Sequence, residues 1–116
     1  MLHGHSKSDA RHLHLHQVAL EKLRREPALK TGVLELLERW LDDDRLRCSR
    51  SWLEEWRTML LTWPFDRLTQ VVLDAERGQS LRQCSPLAGV LTPQERWKAI
   101  EEVNERLERA EEEPSV

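Results

Sequence analysis

The segment SPLAGVLTPQERW, residues 85–97, decides how the last part of this chain folds. Within it, Thr92 and Glu95 have the spacing of a capping box, in which each side chain hydrogen-bonds to the backbone N–H of the other residue. Pro93 stands between them at the first helical position, where proline begins a helix without losing a hydrogen bond. The sequence therefore predicts a helix that begins at this point.

The first half of the same segment is expected to hold this last helix against the rest of the protein. Pro86 and Gly89 favour a tight turn, and the apolar side chains of Leu87, Val90 and Leu91 are predicted to pack into the core. A second role stays open, because apolar side chains beyond those that the core needs would make a docking surface.

Helical periodicity extends outward from this segment to most of the chain. Four more helices are predicted from apolar spacing and from breaks at proline, at residues 9–26, 27–44, 51–63 and 64–75. A further helical turn stays open between residues 76 and 84. Together these elements predict an all-α protein, a compact bundle of five or six helices with short connections.

Polar residues before the apolar runs predict where two of these helices begin. Ser8 or Asp9 is suited to cap the first helix. Ser49 or Ser51 is suited to cap the third, where Glu54 follows Ser51 at the capping-box spacing.

The chain has 116 residues, enough for one domain with a modest core. Residues 1–8 are expected to form a disordered N-terminus, residues 9–110 a single helical domain, and residues 111–116 a frayed acidic tail. Neither a secretory signal nor an apolar run of transmembrane length is recognisable, so a cytoplasmic protein is predicted. Cys48 and Cys84 fit no metal or redox spacing and are expected to stay reduced.

Charge and motif content argue against two classes of function. Charged residues make up 34% of the chain, but the formal net charge is -3, so no basic excess attracts nucleic acid. No nucleophile elbow, glycine-rich phosphate loop or zinc-protease motif is recognisable. The sequence therefore predicts a protein that is not an enzyme and that needs no cofactor.

Two groups of side chains could bind a metal ion, but each also has an interpretation that involves no metal. His12 and His16 are one helical turn apart and could chelate an ion, whereas His14 would point elsewhere on the same helix. The carboxylates of residues 42–44 could hold Mg²⁺. A solvated or partner-facing helix end is the favoured interpretation of both groups, and no metal site is predicted.

Tryptophan is the unusual component, with five Trp beside one Phe and no Tyr. A buried indole needs an acceptor for its N–H, and Trp is enriched among interface hot spots. Most of the five are expected in the core, but one or two are predicted to lie at a protein interface. The candidate partner-binding residues are Trp52, Trp56, Trp63, Leu87, Val90, Leu91 and Trp97.

Four segments of the chain resemble a group of small all-helical bacterial proteins of unassigned function, associated with toxin–antitoxin or regulator-type gene pairs. The segments are LHQVALEKLRREPAL (residues 15–29), LERW (37–40), LEEWRTML (53–60) and LRQCSPLAGVLTPQERW (81–97). The last is the most specific, although Cys84 stands where the group has a small polar residue. The resemblance implies an antitoxin-like role and carries no catalytic residues.

The sequence thus favours a non-enzymatic protein-binding module, an antitoxin-like neutraliser that contacts a cognate bacterial toxin enzyme directly. Acidic side chains at residues 42–44, 54–55 and 101–102 would complement a basic toxin surface. Homo-oligomerisation stays open. The alternative is a DNA-binding transcriptional regulator, alone or with its partner, for which residues 65–91 could form a helix-turn-helix with a short second helix.

Overall fold

The computed structural model describes residues 5–43 and 50–112, and within them the chain forms six α-helices and one 3₁₀ helix, with no strand. The elements are α1 (His5–Arg25), α2 (Leu29–Leu41), α3 (Arg50–Thr62), α4 (Phe65–Val72), α5 (Arg77–Gln83), the 3₁₀ helix (Pro86–Val90) and α6 (Pro93–Glu112). The prediction of an all-α bundle of five or six helices is confirmed.

The predicted start of the first helix is wrong. α1 begins at His5, so residues 5–8 are helical and neither Ser8 nor Asp9 is its cap. The Asp9 carboxylate instead accepts a hydrogen bond from Gln79 Nε2 at 3.2 Å, which ties α1 to α5. Residues 1–4 of the predicted disordered N-terminus lie outside the described residues.

The last helix extends into the predicted acidic tail, and the third helix begins at Arg50, directly after Ser49 in the sequence. α6 continues to Glu112, beyond the predicted domain end at residue 110, and residues 113–116 lie outside the described residues. α3 begins at Arg50, so Ser51 is a helical residue rather than the cap. Arg50 Nη1 donates to Leu41 O at 2.9 Å, so this side chain links the end of α2 to the start of α3. Ser49, Cys48 and Asp44 are outside the described residues.

The core lies where the 3₁₀ helix contacts both α1 and α2. Leu37 of α2 and Leu87 of the 3₁₀ helix are fully buried there, and Val90 and Leu91 are buried beside them. The expectation that Leu87, Val90 and Leu91 pack into the core is confirmed. Burial of a whole leucine side chain contributes about 1.5–3 kcal/mol, so Leu87 and Leu91 make this short segment a substantial part of the core.

The capping box at the start of α6 is confirmed. Thr92 N donates to Glu95 Oε1 at 2.9 Å, and Glu95 N donates to Thr92 Oγ1 at 3.1 Å. The same Glu95 oxygen accepts a hydrogen bond from Lys22 Nζ on α1 at 2.6 Å. One carboxylate therefore begins α6 and also attaches it to α1.

Further polar pairs follow the contact between α1 and α6, which run antiparallel. Arg11 Nε donates to Asn104 Oδ1 at 3.0 Å, and His14 Nε2 lies 3.2 Å from Glu102 Oε1. α6 packs mainly on α1 and contributes little to the central core.

Acid is expected to lower the free energy of unfolding by weakening the attachment of α6 to α1. The Glu95→Gln variant is expected to lose less of its unfolding free energy in acid than the wild type. The hydrogen bonds from Lys22 and from the Thr92 N–H lower the pKa of Glu95 from 4.5 to about 2. Because the folded-state pKa is depressed, this carboxylate stabilises the fold fully above pH 4.5, and its contribution is lost as the pH falls toward 2. Urea unfolding of the wild type and the variant is expected to give a difference in unfolding free energy that shrinks over this window. A difference that does not change with pH would contradict the assignment.

Candidate functional site

An apolar groove of about 410 Å³ lies between the turn that joins α1 to α2 and the turn that joins α3 to α4. We call it the Trp63 groove. Its lining residues are Leu23, Arg24, Pro27, Lys30, Leu60, Trp63, Phe65, Asp66 and Leu68. Both turns contain a proline, because α1 ends before Pro27 and α3 ends before Pro64. The two breaks that the sequence predicts are therefore neighbours in space and form the two sides of one depression.

The floor of the Trp63 groove is buried leucine, and its walls are the half-buried rings of Trp63 and Phe65. The Arg67 guanidinium lies 4.2 Å from the centre of the Trp63 ring, a cation–π contact that holds the indole upright. Arg24, which lines the groove, donates to Glu21 Oε1 at 2.7 Å, and this hydrogen bond lowers the pKa of Glu21. The groove can accept an apolar side chain inside a charged rim.

Two of the other sequence-predicted Trp residues also reach the surface. Trp97 on α6 is 63% exposed and Trp52 at the start of α3 is 37% exposed. Ala99 and Val103 are buried on the face of α6 that contacts α1. Trp97 stands two positions before Ala99, which places it on the opposite side of the helix.

The structure corrects the predicted role of the remaining candidate partner-binding residues. Trp56 and Leu87 are completely buried, and Val90 and Leu91 are nearly so. The Trp56 Nε1–H donates to Leu81 O at 2.9 Å, which satisfies the indole inside the core. These four side chains pack the bundle and are not available to a partner in this conformation.

A second, more polar cavity of about 180 Å³ lies where α1, α5, the 3₁₀ segment and α6 meet. We call it the His16 cavity. Its lining residues are His12, Leu15, His16, Ala19, Arg82, Gln83, Ser85, Leu87, Leu91 and Arg96. Two His and two Arg residues are among the described lining residues, which include no Asp or Glu. This composition was not predicted from the sequence.

His16 is buried and neutral. Its Nδ1 lies 2.7 Å from the backbone oxygen of His12, and because a carbonyl only accepts, Nδ1 carries the hydrogen. Burial, with a smaller effect of the Arg82 charge, lowers the pKa of His16 from 6.5 to about 4, although the hydrogen bond to His12 O acts in the opposite direction. Nε2 is therefore an acceptor, and it is buried without a partner among the described residues.

Arg82 and Ser85 are the other buried polar groups of the His16 cavity. Arg82 Nη1 donates to Val72 O at 2.6 Å and to Asp74 O at 2.9 Å, which satisfies carbonyls at the end of α4. Ser85 Oγ accepts the N–H of Leu87 at 3.1 Å, so its own hydrogen is free to donate. The spacing of one helical turn drew attention to His12 and His16 in the sequence, as possible chelators of an ion, but no sequence signal marked Arg82.

Among the described residues, no helix is long and apolar enough to cross a membrane. Nor do three His, Cys, Asp or Glu side chains of these residues come together in a group suited to a metal ion. No protein-family model matches this chain, and no curated protein or solved structure matches it.

Proposed function

We propose that this protein is a non-enzymatic protein-binding module and that the Trp63 groove is its contact surface. The observation that carries the proposal is the groove of about 410 Å³ with Trp63 and Phe65 as walls and buried leucines as its floor. Interfaces concentrate their binding energy in such pockets, where an aromatic side chain is half-covered before the partner arrives. The occupant we propose is an apolar side chain of a partner protein.

The finer proposal concerns the identity of this partner. We propose an antitoxin-like neutraliser of a cognate toxin enzyme in the bacterial cytoplasm, on the resemblance of residues 81–97 given above. Glu55 and Glu101 are exposed and available to a basic toxin surface. Glu54 and Glu102 are already engaged, with Arg50 at 3.2 Å and His14 at 3.2 Å. Fewer acidic side chains are therefore available to pair with a basic toxin surface than the sequence suggests.

DNA binding has weaker support. The second helix of a helix-turn-helix presents polar side chains to the major groove. α5 has seven residues, and the Arg82 side chain at its end is turned inward to the carbonyls of α4. This arrangement favours the protein-binding proposal over the regulator.

Trp63→Ala is expected to weaken the partner complex by about 30-fold or more, the size of a hot-spot truncation. The partner is identified by affinity capture from the native host with the wild-type protein as bait, then purified for titration calorimetry. Leu61→Ala is the control, because Leu61 is 55% exposed on the neighbouring face of α3 and does not line the groove. This control is expected to change the dissociation constant by less than about twofold.

The Trp97→Ala variant tests the alternative that the partner binds to the exposed face of α6. If the Trp97 variant loses the partner and the Trp63 variant keeps it, the Trp63 groove is not the contact. Thermal unfolding of each variant checks that the fold is retained. For the antitoxin-like proposal, the purified partner is assayed as an enzyme, and inhibition by wild type but not by Trp63→Ala is expected. A partner whose activity does not respond to the wild-type protein contradicts the neutraliser role and leaves the binding result intact.

A further inference from the structure

We propose that the His16 cavity binds a phosphate group that carries both ionised oxygens and a hydroxyl hydrogen. This proposal does not depend on the Trp63 groove. It rests on the lining of the cavity, on the direction of its hydrogen bonds and on its size.

The lining favours an anion. The described lining residues include two arginines, the buried Arg82 and the exposed Arg96, and no Asp or Glu. Asp9 and Asp74 lie outside the lining, although their charges act on Arg82 and offset part of its positive charge. Asp9 accepts from Gln79, and Asp74 Oδ2 accepts the N–H of Arg77 at 2.8 Å. Planar guanidinium groups bind the oxygens of phosphate through paired hydrogen bonds.

Buried polar atoms supply both donors and an acceptor. The described hydrogen bonds of Arg82 use Nη1, so none of them occupies its other two donor nitrogens, Nε and Nη2. Ser85 contributes a hydroxyl hydrogen. His16 Nε2 offers a lone pair instead, and a buried acceptor without a partner is costly unless a ligand donates to it. A ligand that complements all of these groups has negatively charged oxygens and one O–H.

Phosphate meets this requirement at neutral pH, and sulfate does not. The two ions have the same tetrahedral shape, but sulfate has no O–H and would place a charged oxygen against the His16 lone pair. The volume of about 180 Å³ is several times the ~30 Å³ that one water occupies, so either ion fits. Shape and charge therefore admit both ions, and His16 selects between them.

Titration calorimetry of the full chain with inorganic phosphate and with sulfate, at neutral pH and low salt, tests the proposal. Phosphate is expected to bind, and to bind about tenfold or more tightly than sulfate, the factor for one hydrogen bond that involves a charged group. Absence of phosphate binding, or equal affinity for the two ions, overturns the proposal.

Two variants locate the binding. Arg96→Gln is expected to weaken phosphate binding about tenfold or more, whereas Arg39→Gln makes the same charge change at an exposed position of α2 outside the cavity. His16→Asn keeps a donor near Nδ1 but has no group at Nε2, so it is expected to abolish the preference for phosphate over sulfate. Equal weakening by the two arginine variants would assign the binding to general surface charge and overturn the site. Circular dichroism confirms that each variant is folded before titration.

Discussion

Trp56→Ala is expected to lower the free energy of unfolding by about 3–5 kcal/mol, the usual cost of truncating a buried Trp. The side chain is 0% exposed in the middle of α3, and its Nε1–H donates to Leu81 O on α5 at 2.9 Å. Alanine would leave a cavity between α3 and α5 and would also leave a buried carbonyl without its donor. Urea unfolding followed by circular dichroism measures the change.

Trp56→Phe divides this loss into its two causes. Phenylalanine keeps most of the apolar volume but cannot donate to Leu81 O, so a loss of about 1–3 kcal/mol is expected from the unsatisfied carbonyl. Trp97→Ala is the matched control, because Trp97 is 63% exposed and its truncation is expected to stay within about 0.5 kcal/mol. A Trp56→Ala variant as stable as the Trp97→Ala variant would show that α3 does not pack on α5 as described.

Gly78→Ala is expected to destabilise the protein even though alanine is the better helix former. A Cβ at this position would overlap the Val72 carbonyl oxygen and would lie 2.5 Å from Arg82 Nη1 and 2.8 Å from Val71 O. The close approach of α5 to the end of α4 is what allows Arg82 to reach the Val72 and Asp74 carbonyls. Overpacking costs about 1–3 kcal/mol, and displacement of Arg82 adds the loss of charged hydrogen bonds, about 1.5–3 kcal/mol.

Gly32→Ala is the control with the opposite sign. Gly32 is exposed to solvent and lies within α2, away from its ends, and a Cβ there would meet nothing within 4 Å. Alanine is expected to stabilise the protein by about 0.5–1 kcal/mol through its helix propensity and the lower entropy of the unfolded chain. If both variants change the unfolding free energy in the same direction, the close approach at Gly78 is not the reason for its glycine.

Local signals were predictable from the sequence, whereas their combination in space was not. The capping box of Thr92 and Glu95 needs only residues three apart, so the pattern alone reveals it. The bond from Lys22 to the same Glu95 joins two helices that are distant in the sequence, and no spacing rule predicts it. The proline breaks at Pro27 and Pro64 were likewise predicted, but not that the turns beside them enclose one groove.

Burial was the least predictable property of the candidate site. Trp56 and Trp97 both lie on apolar stripes, yet one is fully buried and the other is exposed. The difference arises because Ala99 and Val103 meet α1, which rotates Trp97 away from the contact. Arg82 lies in a short polar helix and would ordinarily be expected in solvent. Its burial follows from the crossing of α5 over the end of α4, and Gly78 permits that crossing.

α6 is held to α1 largely by polar pairs rather than by a large apolar contact. We therefore expect α6 to detach as a unit before the rest of the protein unfolds. Segments with few buried apolar contacts exchange their amide hydrogens through local opening rather than global unfolding. α6 buries Ala99 and Val103 outside the central cluster, and four polar pairs of the described residues join its length to α1. The amides of α6 would therefore exchange faster than those of α3, and detachment of α6 would uncover the Arg96 side of the His16 cavity.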